Sequence, residues 1–125
     1  MAKNQLFLDI RPIVDIEFTG TKHPLELFMH DTLRSILKLQ HEKIHAIIDH
    51  IEGFKKEKCS TNDDVQNFNY IKDFLGKNNG IKQQLIGCII GIFTENELKY
   101  FLENKKEISK RITEMVIVRY LSTID

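Results

Sequence analysis

From Leu6 to Phe18 apolar residues nearly alternate with polar ones, as Leu6, Leu8 and Ile10 and again as Ile16 and Phe18. A period of two belongs to extended chain, and Pro12 forbids a continuous helix. The spacing predicts an extended arm over residues 1–22, with Gly20 and Thr21 at its end. Pro24 then suits the first position of a helix, where its missing N–H leaves nothing unpaired. From Pro24 to about Phe54 the pattern changes to a helical period. Met29, Leu33, Ile36, Ile44, Ile47, Ile51 and Phe54 share one face, and Arg34, Lys38, His41, His45 and Glu52 gather on the other. This segment reads as one long amphipathic helix.

Lys55 to Ser60 reads as a loop. Thr61, Asp63 and Asp64 supply a cap and first-turn acids for a second helix carrying Val65, Phe68, Ile71 and Leu75. Gly76 and Asn78-Asn79-Gly80 break it. Ile81 to Phe93 is apolar almost all round, the pattern of a helix at the centre of a bundle. Thr94-Glu95-Asn96-Glu97 has capping-box spacing and starts a fourth helix with Leu98, Phe101 and Leu102. Asn104 and Glu107 begin a fifth, whose core stripe is Ile108, Ile112, Met115 and Val116. The fold predicted is all-α: a single domain over 1–125, with a four- or five-helix bundle over 24–123 and a short extended N-terminal arm.

Composition narrows the classes of function. The chain has 125 residues, the size of one domain, and 42% of them are hydrophobic, enough for a core. Eighteen basic side chains balance eighteen acidic ones, so no net field draws the molecule to nucleic acid or to an anionic membrane. The apolar run Leu85 to Phe93 falls well short of the roughly twenty residues that cross a bilayer. Cys59 and Cys88 have neither disulfide-framework nor metal-site spacing, and Met1 to Leu8 lacks a signal pattern. A cytoplasmic protein that engages neither nucleic acid nor membrane is the expectation.

Three features carry candidate chemistry. His41-Glu42-Lys43-Ile44-His45 fits H-E-x-x-H, which sets two imidazoles one turn apart as zinc ligands with Glu42 as general base. On an ideal wheel His41 lies about 100° and His45 about 140° from the apolar stripe, so the pair faces solvent unless another element covers it. Gln40 and Arg119 each fall inside an apolar stripe, where an amide or guanidinium needs partners. They are candidates for a satisfied polar network or for a polar pocket between the first and last helices. Gly87 and Gly91 form G-x-x-x-G, small residues that admit a close backbone, either within the bundle or across a homodimer seam.

Leu6-Phe7-Leu8-Asp9-Ile10-Arg11-Pro12, Leu33 through Gln40, and Leu85 through Asn104 continuing into Lys110-Arg111 together resemble a family of short bacterial proteins, familiar from flavobacteria and their relatives, often labelled glyoxalase. The label implies a lyase acting on a thiol–aldehyde adduct. A genuine glyoxalase I is built from paired βαβββ modules with metal ligands on strands, whereas this sequence reads as helices. The resemblance favours Gln40 and the Gly87/Gly91 pair as parts of a shared scaffold and marks His41 and His45 as particular to this chain. The function expected is a non-catalytic helical module, without cofactor, that self-associates or binds another protein. The alternatives are a zinc hydrolase using His41, Glu42 and His45, the lyase of the label, and a small-ligand module built on Gln40 and Arg119.

Overall fold

In the computed structural model, which describes residues 2–11 and 24–124, the regular elements are helices throughout, so the chain is all-α over the described residues. α1 (Ala2–Asp9) replaces the first part of the expected extended arm. Leu6, Leu8 and Ile10 are exposed, so their alternation serves no buried sheet face. The rest of the arm, 12–22, lies outside the described residues. A helix of 8 residues does not hold itself in water. This one is tied at both ends. Asn4 Oδ1 accepts the Glu95 N–H at 3.2 Å, and the Arg11 guanidinium forks onto the Glu97 carboxylate at 2.8 and 2.6 Å while also donating to the Ile92 carbonyl at 2.7 Å.

The single long helix expected from Pro24 to about Phe54 is three helices. α2 (Pro24–Phe28) passes through one π turn (Met29–Leu33) into α3 (Arg34–Leu39), and α4 (His41–Asp49) follows. Gln40 marks the second break, with φ −93° and ψ 10°, although the backbone bonds Gln40 N–H to Ile36 and Ile44 N–H to Gln40 carry on across it. The chain leaves the helical path after Asp49 and turns at Gly53, whose φ of +83° is a conformation that side chains disfavour. A 3₁₀ turn at Lys56–Cys59 leads to α5 (Asp64–Gly76). Asp63 caps α5 by accepting the Gln66 N–H at 3.1 Å, while Thr61 is engaged instead with the buried Asn67 amide. α6 (Asn79–Ile90), α7 (Glu95–Glu103) and α8 (Lys105–Thr123) complete the chain. Both bonds of the Thr94/Glu97 capping box are present at the start of α7.

α8 is the centre of the packing, in contact with α4, α5, α6 and α7. Its Ile108, Ile112, Val116, Ile117 and Tyr120 are buried against Ile44, Ile48, Ile71, Leu75, Leu85 and Ile89 in one continuous core. α6, expected at the middle on account of its apolar run, is half outside: Leu85, Ile86 and Ile89 are buried, but Gln83, Gln84 and Gly87 face solvent. No helix among the described residues is long and apolar enough to cross a membrane.

The Arg11–Glu97 pair yields a test of α1 docking. Its side chains are only 7% and 16% exposed, so truncating one partner strands a buried charge. Arg11→Ala is expected to cost about 3 kcal/mol in chemical denaturation. Burial pushes the Glu97 carboxyl up, but hydrogen bonds from Arg11 and the Thr94 backbone outweigh it and hold the group below its usual value. Stability from this pair is therefore present above the usual carboxylate range and is lost as pH falls through it. The acid-side slope is expected to flatten in Arg11→Ala.

Candidate functional site

The π turn determines what faces the last helix. In that turn the Arg34 N–H donates to the Met29 carbonyl five residues back, so Met29 and Arg34 come into line, as residues four apart do on an α-helix. Leu37 and Lys38 continue that line one turn on. Opposite stand Arg111, Glu114, Met115, Val118, Arg119 and Ser122, a single stripe of α8 at three- and four-residue spacing. Between the two rows lies a cleft of about 550 Å³. Met29, Leu37, Met115 and Val118 give it an apolar lining, and Val118 remains 57% exposed there. Four cationic side chains line it, with Glu114 the single carboxylate among the lining residues. Arg111 Nε is engaged with Glu107 at 3.1 Å.

Met115 was expected in the core stripe of the last helix and is instead half-buried in the cleft wall. Arg119 lies beside the core stripe. Its Nε donates to His41 Nδ1 at 3.2 Å, across from α8 to the first turn of α4. His45, one turn further on, has its ring stacked near Tyr120 with centroids 4.6 Å apart. Its Nε2 lies 2.5 Å from Thr123 Oγ1, whose own proton faces the Arg119 and Tyr120 carbonyls at 3.0 and 3.2 Å. The imidazole N–H therefore donates and the threonine oxygen accepts. The expectation of a solvent-facing histidine pair is corrected: the C-terminal end of α8 covers that face, and both rings are half-buried.

Among the described residues no group of three or more His, Cys, Asp or Glu side chains is placed to hold an ion. The two rings sit 4.6 Å apart, but one nitrogen is already an acceptor for a guanidinium and another is bonded to a hydroxyl. Glu42 is exposed. The nearby carboxylate, Asp49, accepts from the Tyr120 hydroxyl at 2.5 Å and has Lys56 Nζ at 3.8 Å. Burial and the Asp49 hydrogen bond push the Tyr120 phenol well up.

Gln40 and Arg119 do not share a pocket. Gln40 Nε2 donates to the Cys88 carbonyl at 2.9 Å, satisfying one of the acceptors left over in the last turn of α6, and Gln40 does not line the cleft. Gly87 and Gly91 are both exposed, and a Cβ built at Gly87 meets nothing within 4 Å, so no element of this chain packs on that seam among the described residues. Cys59 is buried and donates to the Lys56 carbonyl, and burial pushes its thiol up, away from the reactive thiolate.

The chain matches no protein-family model, no curated protein and no solved structure. The site is therefore read from its geometry. Sequence reasoning placed Met29 on one helix face and Arg34 and Lys38 on the opposite one, and so missed the cleft. A wheel drawn at roughly 100° per residue has no means of showing a π turn. Tyr120 and Asp49 were also missed, since their pairing joins two helices distant in the chain.

Burial lowers the His45 pKa below 6.5, with His41, Lys56 and Arg119 adding to the effect and Asp49 opposing it. The unfolded chain then takes up this proton first. Stability is expected to fall as pH drops through the ordinary imidazole value toward the folded one. Proton-resolved NMR titration should place the His45 midpoint below 6.5, the value of a free imidazole.

Proposed function

We propose that the chain is a non-catalytic helical binding module that works through the cleft between α3 and α8. The observation that carries this reading is the cleft itself. Its volume of about 550 Å³ lies within the range of small-molecule sites, and its apolar lining is ringed by a few charged groups, as such sites are. The two histidines that suggested catalysis are engaged internally, His41 with Arg119 and His45 with Thr123. A zinc-hydrolase reading lacks a third protein ligand among the described residues.

Nile red, a neutral dye that brightens in apolar sites, tests the cleft directly. One dye per chain is expected to bind, and Met115→Glu should weaken it at least tenfold. Val65→Glu, at an exposed position outside the cleft, serves as the control. Equal binding to Met115→Glu and to the native chain would remove the cleft as the site; circular dichroism confirms that both variants are folded.

Self-association is a second reading, favoured by one observation: the Gly87/Gly91 face is open, with space for a second backbone at Gly87. Solution mass measured against concentration tests it. A dimer that dissociates on Gly87→Leu supports this face, and a monomer at all concentrations ends it.

A further inference from the structure

We infer that the cleft takes an organic anion, a carboxylate or phosphate monoester on an apolar body, and that Arg119, held in place by His41, receives its head group. This rests on the reading of the cleft as the binding surface and adds the chemistry of the ligand. The chain as a whole carries equal numbers of acidic and basic side chains, yet four cations and one carboxylate line this one cleft. Such local excess favours an anion. Arg111 is already paired with Glu107 and Lys38 has a partner of its own, so the load falls on Arg34 and Arg119.

Arg119 differs from Arg111, whose Nε is bonded to a carboxylate that offsets its charge, in being oriented by an imidazole nitrogen. A guanidinium whose Nε is bonded to His41 has its plane fixed, and the end-on fork of Nη1 and Nη2 is the edge that accepts two oxygens at once. No hydrogen bond or ion pair among the described residues engages that edge. His41 touches Arg119 and does not line the cleft, so its role is positioning. The body of the ligand is required by the other half of the lining: Met29, Leu37, Met115 and Val118 present apolar surface, and Val118 leaves more than half of its own to water. A head without a body leaves that surface wet, and a body without a charge leaves the arginine fork empty. The π turn that aligns Met29 with Arg34 places one apolar and one cationic group on the same wall, an irregularity of the kind that accompanies binding sites.

Calorimetric titration of the full chain with decanoate, decyl phosphate, decanol, acetate and inorganic phosphate, all below micelle formation, tests the inference. Decanoate or decyl phosphate is expected to bind one per chain, at least tenfold tighter than decanol. Which of the two binds better identifies the head group. Acetate and inorganic phosphate are expected to show no saturable binding. Arg119→Gln should weaken the anionic amphiphile at least tenfold with little change for decanol. His41→Leu should weaken it severalfold, and His41→Asn, whose Oδ1 restores an acceptor near the Nδ1 position, should recover most of the loss. Decanol binding as tightly as decanoate would overturn the anionic head while leaving the cleft reading intact. Inorganic phosphate binding as tightly as decyl phosphate would overturn the apolar body. Nile red binding with no binding of either amphiphile would overturn the inference alone, whereas loss of cleft-dependent dye binding defeats the underlying reading. Equal affinities for His41→Leu and His41→Asn would remove the positioning role.

Discussion

Short helices are marginal in water unless an apolar face is buried against a neighbour. In this chain α1 through α7 run from 5 to 13 residues, and the neighbour that most of them share is α8, with 19. Its stripe of Ile108, Ile112, Val116 and Tyr120 is buried completely or nearly so, and α4, α5, α6 and α7 all lean on it. Each of those helices is stable because α8 is present, and α8 is covered because they are. This mutual dependence makes the core one unit.

The same helix presents a second stripe beside the buried one. Residues 115, 118, 119 and 122 are displaced from 112, 116 and 120 by about one position, enough to bring them from the core to the cleft wall. A wall built on a helix that is locked along its other side has little freedom to shift, and rigidity of the scaffold lowers the ordering cost of binding. The opposite wall owes its form to a single irregular turn. Wound as a regular α-helix, Met29 and Arg34, five positions apart, would lie on different sides.

Much of the fold was legible in the sequence wherever local chemistry decided the outcome. Pro24 starts a helix because it has no N–H to leave unpaired, while Thr94 with Glu97 and Asp63 start α7 and α5 because their side chains satisfy loose backbone donors. What was not legible depended on tertiary context. α1 forms where the residues alternate, because Arg11 and Asn4 find partners more than eighty positions away. The breaks at Met29–Leu33 and at Gln40 carry no proline or glycine to announce them. His41 and His45 are covered by a helix whose approach no local pattern encodes. The anomaly of Gln40 and Arg119 was visible as two polar residues in apolar stripes, but not that their partners are separate: a leftover carbonyl of α6 for one, an imidazole for the other.

The attachment of α1 bears on how the molecule assembles. Arg11 and Glu97 are 86 positions apart, and the glutamate that receives the guanidinium is also the residue that closes the first turn of α7. During synthesis α1 leaves the ribosome before α7, so its dock does not exist until the intervening helices have followed. Closing so long a loop is slow relative to the pairing of neighbouring helices. Contact order therefore places the seating of α1 after the pairing of the later helices.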